Sequence, residues 1–350
     1  MSALYPLALE AREREMIWGG RALVERYGKH AAPEAKIGES WECFDTNRIE
    51  NGTHAGQTLA DLRAQLGTQL TGSADPAQPF PLLTKIIDAR EPLSVQVHPD
   101  DAYARRVEHQ PVGKTECWYV LEAESDATIV LGWNRDISRD EYLARVLDGS
   151  LGELLRYVPA RAGDVFHLPA GTMHAIGAGI VLFETQQTSD LTYRIFDYNR
   201  AGPDGKPREL HVEKAADVLD YRAGGRGALA PLRYALDGLE RSTLVHDANF
   251  TVERVELVAE RREIDLDGMP LVVFALDRPV ELEARGELVR LEPYRSAVVP
   301  AALGSVMCSG VAGSAAIVTA APPHDRYVLE RRFSRAGVPV ADSTAFLAQF

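Results

Sequence analysis

The chain has 350 residues with 38 Lys+Arg against 51 Asp+Glu, and its formal charge of −13 excludes a nucleic-acid binder held by a general basic field. A hydrophobic share of 45% with 25% charged residues excludes intrinsic disorder, and the length provides for roughly two domains with sizeable cores. Three scattered cysteines, Cys43, Cys117 and Cys308, contain no CxxC pair, so neither a disulfide framework nor a thiolate metal cage is expected. The N-terminal MSALYPLALEAREREMIWGG sets Pro6 and alternating charges where a signal peptide carries an apolar run, and no window approaches a membrane span. The expected location is the cytoplasm, with no membrane and no nucleic-acid partner.

In chain order, a short helix is predicted at 61–66, then strands at 81–87, 93–99, 116–123 and 127–133, where β-branched and aromatic runs lie between Gly, Pro and Asp. Over 138–157, Tyr142, Leu143, Val146 and Leu147 recur at helical intervals until Gly149 breaks the run. A further short helix is predicted at 211–219, and the irregular 224–238 reads as a linker. From 247 onward strands return in FTVERVELV, MPLVVFALD, VELEARGELVRLE, SAVVP and GSAAIVTA. The tail 326–350 begins basic and ends apolar, suited to docking on the body or at an interface. A mainly β sandwich or barrel is expected, and a short repeat supports two copies. GDVFHLPAGTMH at 163–174 matches YRSAVVPAALGS at 294–305, with Pro169 facing Pro300 and His174 facing Ser305.

Three polar clusters interrupt apolar strands. Gln96 and His98, two apart on a strand, share one face. Lys114 and Glu116 enter the strand CWYVLEA, and His174 ends a tight reversal built on Gly163, Pro169 and Gly171. Two imidazoles, one carboxylate and one amide oxygen make an N/O site for a borderline divalent ion, zinc first, with Mn, Fe or Co as substitutes. His167 falls on the opposite parity to His174 and is expected in the core or behind the ligands. Trp18, Trp41 and Trp118 read as packing residues. No G-x-S-x-G elbow and no GxGxxG after a strand is present, and GPDGK at 202–206 reads as a turn.

Gly163-x5-Pro169-x-Gly171-x2-His174 matches the second cupin motif, and Gln96-x-His98 with Glu116 resembles a stretched, His-to-Gln form of the first. PLLTKIIDAREPLSVQVHPDD, GKTECWYV, GDVFHLPAGTMHAIG and SDLTYRIFDYNR, with Trp18-Gly19-Gly20 and Glu39-Ser40-Trp41-Glu42, together resemble the type I mannose-6-phosphate isomerases in their short bacterial form. The resemblance spans 18–200 and implies two cupin-type β-barrel or jelly-roll domains with a small helical insertion. The expected division is 1–100 with 158–240 as the metal-binding catalytic domain, 101–157 as an insertion, and 241–350 as a degenerate second copy without ligands.

Carried over by residue, the resemblance implies one Zn2+ per chain on Gln96, His98, Glu116 and His174. It places substrate-site lysines at Lys85 and Lys114, the active-site arginine at Arg194, and a substrate-site serine at Ser94. Longer family members carry a histidine where this chain has Gly113, so a step assigned to that histidine does not transfer. The implied reaction is reversible isomerisation of mannose 6-phosphate to fructose 6-phosphate through a cis-enediol. Lys114 is the first candidate base, because a metal ion and a neighbouring arginine disfavour an ammonium there. Arg194 is expected to stabilise the enediolate or grip phosphate, unless Asp190 or Asp197 claims it as a structural partner, and Lys85 and Ser94 are expected to bind substrate. A zinc ion offset by one carboxylate, with Lys85, Lys114 and Arg194, would put about four positive charges in one cleft to receive the sugar phosphate. The alternatives are a non-catalytic sugar-phosphate-binding cupin, an Fe(II) dioxygenase, and a cupin metalloenzyme for another phosphorylated sugar. A monomer or weak homodimer is expected.

Overall fold

The computed structural model describes residues 4–72, 74–198, 200–202, 205–224 and 227–350. Asn199 of the SDLTYRIFDYNR motif, Pro203 and Asp204 of the expected turn, and Gly225 and Arg226 of the expected linker lie outside them.

The apolar runs pair into four antiparallel sheets arranged as two sandwiches. In the first, a six-stranded sheet runs Arg12–Gly20, Ile37–Cys43, Leu82–Ala89, Ile180–Gln187, Glu116–Ala123, Val165–Leu168. It faces a five-stranded sheet of Tyr193–Phe196, Val95–Val97, His174–Ile176, Thr128–Trp133 and Leu155–Pro159. Trp18, Trp118, Val120, Ile129, Leu131, Phe166, Ile176 and Leu182 fill the space between them. The second sandwich has a seven-stranded sheet, Leu7–Leu9, Ser296–Val299, Leu271–Ala275, Ala315–Ala321, Thr251–Leu257, Leu239–His246 and Leu232–Leu236. Its partner sheet holds Arg262–Asp265, Ser305–Gly310, Val280–Ala284 and Glu287–Leu291. Both are jelly-roll sandwiches rather than closed barrels.

The two halves share a core because their large sheets are apolar on both faces. The strand Ile180–Gln187 is buried along its whole length: Leu182 points into the first sandwich, and Val181 and Phe183 point the other way. Phe183 stacks on Phe274 of the second half at a centroid distance of 4.4 Å. The same alternation divides Glu39-Ser40-Trp41-Glu42. Glu39 faces the first sandwich's cavity, while Glu42 pairs with buried Lys29 at 2.7 Å, whose Nζ also donates to Tyr294 O of the second half.

Residues 101–157 are not an insertion on this sheet topology. Glu116–Ala123 and Thr128–Trp133 lie inside the two sheets of the first half, paired with strands more than forty residues away, a pairing that sequence spacing does not report. Leu7–Leu9 and Leu232–Leu236, expected in the first domain, join the second half's sheet. Arg139–Asp148 is helical, capped by the Ser138 side chain and ended by Gly149 at φ 78°. With the helix Val212–Val218 it covers the outer face of the five-stranded sheet through Tyr142, Ala215 and Ala216. The tail forms the helices Arg326–Arg335 and Val340–Leu347, which dock on Leu232–Leu236 through Leu329, Phe333, Phe346 and Leu347.

Candidate metal centre and active-site cavity

Four predicted residues converge at one end of the first sandwich, where its two sheets open. The five-stranded sheet brings Gln96 and His174 together as a cross-strand pair, with His98 one residue beyond its strand. The six-stranded sheet supplies Glu116 as the first residue of its strand. Gly171, at φ 86°, allows the reversal between Leu168 and His174, and its N–H donates to His98 O at 2.9 Å, tying the two histidine segments together.

His98, Glu116 and His174 are 1%, 0% and 1% exposed, and one ligand atom from each lies within 4.8 Å of the others. Nδ1 of His98 faces Leu191 O at 2.7 Å and Nδ1 of His174 faces Thr172 O at 2.9 Å. A carbonyl only accepts, so Nδ1 carries the proton in both rings and both Nε2 lone pairs turn inward. Burial and then Lys114 push the His98 imidazolium down in pKa, which leaves the ring neutral. Glu116 meets His174 Nε2 at 3.2 Å, His98 Nε2 at 3.5 Å and Lys114 Nζ at 3.0 Å, yet neither of its oxygens receives a hydrogen bond. Burial raises its pKa, but Lys114, His98 and His174 outweigh that and hold the carboxyl well below its usual range. Gln96 Nε2 sits 3.3 Å from His174 Nε2, and turning the carboxamide over presents Oε1 at the same point. Two inward lone pairs, an ionised carboxylate short of donors and an amide oxygen are the donor set zinc takes, and the residues fit it.

The cluster adjoins a cavity of about 340 Å³ through Gln96, which lines it together with Lys85, Ser94, Lys114 and Arg194, all named from the sequence. His98, Glu116 and His174 are buried and do not themselves line it. Glu39, Glu184, Asp190, Thr192 and Arg208 also line it and were not foreseen as functional. Glu184 had a signal: it is a lone carboxylate inside the apolar run IVLFETQQ. Its Oε1 pairs with Lys85 at 3.2 Å and its Oε2 accepts from Trp118 Nε1 at 2.9 Å. Trp18 and Trp118 are buried, as expected of packing residues, and also form cavity wall. His167 points away from the centre to Asp247, at 2.8 Å.

Besides the expected lysines and arginine, the cleft is lined by the carboxylates Glu39, Glu184 and Asp190, which the expectation of about four positive charges did not include. Burial lowers the Lys85 pKa, but Glu39, Glu184, Asp190 and Glu116 outweigh it and raise the ammonium above its ordinary value. Arg194, by contrast, makes no ion pair among the described residues; its Nε donates to Ser94 Oγ at 3.4 Å and Nη1 to Glu209 O at 3.0 Å. Asp197 does not claim it, because Arg208 and Arg200 already hold that carboxylate at 2.6 Å each. Burial, and then Arg208, lower the Arg194 pKa, as expected for a cation short of countercharge.

The profile of the family Phosphomannose isomerase type I, catalytic domain, matches residues 7–114. A mannose-6-phosphate isomerase of Streptococcus mutans is 41% identical over 257 residues, 72% of this chain and 79% of that protein. The crystal structure of the Bacillus subtilis mannose 6-phosphate isomerase superposes with a TM-score of 0.82 at 30% identity, covering 90% of this chain and 99% of that one. A zinc-bound mannose 6-phosphate isomerase structure shares the fold at a TM-score of 0.72 and 17% identity, covering 92% of this chain and 100% of its own.

Proposed function

The chain belongs to the type I mannose-6-phosphate isomerase family, and from that premise we propose how its own residues carry the reaction. It is a zinc-dependent isomerase that interconverts mannose 6-phosphate and fructose 6-phosphate. Zinc, when bound, supplies Lewis-acid stabilisation of the oxygen charge that develops between C1 and C2. Gln96, His98, Glu116 and His174 are assigned to hold it. The observation that carries the reading is the buried Glu116 carboxylate, unmet by hydrogen bonds and facing two Nε2 atoms and Lys114 Nζ beside the cavity that Lys114 and Gln96 line.

Isomerisation moves a proton between C2 and C1 through a cis-enediol, so one side chain must accept it and return it. Lys114 is the lysine that both lines the cavity and touches the metal-ligand set, 3.0 Å from Glu116 and 3.4 Å from His98. Lys85 is held as a cation by its four carboxylates, so it is assigned to substrate hydroxyls and not to proton transfer. Arg194, which lines the cavity beside Ser94 and makes no ion pair among the described residues, is assigned to the phosphate. A dianion there supplies the countercharge Arg194 lacks, and the sugar then extends toward Lys114 and Lys85. A monomer or weak homodimer is proposed. A phosphorylated substrate confined within cells supports a cytoplasmic location. No helix of the described residues is long and apolar enough to cross a membrane. The metal-binding unit is proposed to be 12–221, and the second unit 7–9 with 232–350.

The test is incubation of the metal-replete protein with mannose 6-phosphate in deuterated water. Fructose 6-phosphate carrying solvent deuterium is expected, abolished by chelator and restored by zinc. Bound but unchanged substrate would make the chain a non-catalytic sugar-phosphate binder. Lys114→Met should lower kcat by about 10²–10⁴-fold with zinc retained. Near-normal turnover in that variant removes Lys114 as the base.

A further inference from the structure

Lys114 lies two residues before its strand begins, so the sheet ladder does not place it. Three successive N–H groups around it are nevertheless all satisfied. Gly113 N donates to Asp101 Oδ1 at 2.8 Å, Lys114 N to Pro99 O at 3.1 Å, and Thr115 N to Gln187 Oε1 at 2.8 Å. The two side chains are themselves joined, since Gln187 Nε2 donates to Asp101 Oδ1 at 3.0 Å. Thr115 extends the connection to the His174 turn by accepting from Ala170 N at 3.3 Å. At Gly113 the packing leaves no room for a side chain: a Cβ there would lie 2.3 Å from Pro99 O and 2.5 Å from the Asp100 carbonyl carbon. The segment that follows His98 and the segment that carries Lys114 and Glu116 are therefore pressed backbone to backbone.

We propose that Asp101 and Gln187 are positioning residues for the isomerisation: their linked side chains fix the backbone of 113–115 and so aim the Lys114 amine between the metal-ligand set and the substrate cavity. Neither side chain lines the cavity, and neither touches the metal-ligand atoms. Their action is through Lys114, so the inference rests on Lys114 as the proton-transferring amine. An error of an ångström in that amine degrades proton transfer far more than substrate binding, which depends on Arg194 and Lys85 from other strands.

The test compares Gln187→Leu, Asp101→Ala and Asp101→Asn in the zinc-loaded full chain, reading kcat and KM, zinc content, and amide hydrogen exchange of the peptide spanning 113–115. Gln187→Leu and Asp101→Ala are expected to lose about 10–100-fold in kcat, with KM near the wild-type value and one zinc per chain retained. The 113–115 amides should lose protection in both. Asp101→Asn keeps the Oδ1 acceptor, so its kcat and protection should stay close to wild type. Unchanged kcat in both Gln187→Leu and Asp101→Ala, or retained protection of 113–115, overturns the proposal. So does an Asp101→Asn variant as impaired as Asp101→Ala, which would make the charge the cause. Should Gln187→Leu fail to fold, the partly exposed Asp101 pair carries the decision. If the wild-type protein leaves mannose 6-phosphate unchanged, the functional reading fails, whereas the exchange data still decide whether the brace holds the segment.

Discussion

Each half of the molecule runs through eight strands in the same chain order, from Leu82–Ala89 to Ile180–Gln187 in the first and from Thr251–Leu257 to Ala315–Ala321 in the second. The registers make the comparison residue by residue. His174 pairs with Gln96, and the matching Ser305 pairs with Asp265. Glu116 pairs with Leu168, and Leu271 with the matching Val299. Lys85 faces Glu184, and Glu253 faces Thr319. The first half ends in a cavity of about 340 Å³; at the same end of the second half a cleft of about 20 Å³ remains. Arg332, from the tail helix Arg326–Arg335, closes it, paired with Glu253 at 3.4 Å and with Asp267. Glu253 also takes Arg241 at 2.7 Å and the Tyr234 hydroxyl at 2.6 Å. The same backbone thus tolerates either an open metal centre or a closed ion-pair cluster, and a few register positions decide which.

The most direct way to break the comparison is to write the second half's residue into the first. Glu116→Leu copies Leu271, removing the site's one carboxylate. Zinc binding should be lost and turnover should fall to that of the zinc-stripped protein, while the β fold persists as it does around Leu271. Zinc content and the far-UV circular dichroism spectrum check this, and a variant still holding one zinc per chain would defeat it. Next in size is Arg332→Ala, which leaves Glu253 and Asp267 short of a cation inside the second half. A loss of about 3 kcal/mol of stability is expected from breaking a buried ion pair, read by chemical denaturation. With zinc bound, kcat should not change, because the first half's cavity contains none of these residues.

Strand content and the residues that converge at the proposed metal site were legible in the sequence because both are local patterns: β-branched runs between turn residues, and His, Gln and Glu set in or beside apolar strands. The far wall of the cavity was not. Arg208 and Glu39 reach it from segments distant in sequence, and only the three-dimensional pairing brings them to Arg194 and Lys85. The same limit explains the misread 101–157, whose strands look peripheral until their partners at 165–168 and 180–187 are known. REREMIWGG at 12–20 hid a strand because its first residues are largely exposed, so charge broke the apolar signal. The tail's apolar end was visible, but not that its helix would carry Arg332 into the pseudo-equivalent of the catalytic end.

The smallest effect sharpens the comparison through pH. His324 lies buried in the second half, and burial, then Arg332, push its imidazolium down to about 4. An unfolded chain takes the same proton near the ordinary value of about 6.5. Between those values the unfolded state binds more protons than the folded one, so this histidine's contribution to stability is complete above about 6.5 and is lost as the pH falls toward 4. The size is up to about 3 kcal/mol across that window. Glu253, held below its usual range against burial by Arg241 and Arg332, adds a further loss below the carboxylate range, and its sign is the same. Denaturation at pH 7, 5.5 and 4.5, compared with His324→Gln, isolates the histidine: the variant should show a shallower fall over that window by that one group's amount. Arg332→Ala should flatten the same slope, because removing the guanidinium lets His324 take its proton at a higher pH. Equal slopes in all three proteins would mean that the Arg332 closure does not govern this histidine, and that the second half's closed end is held by packing alone.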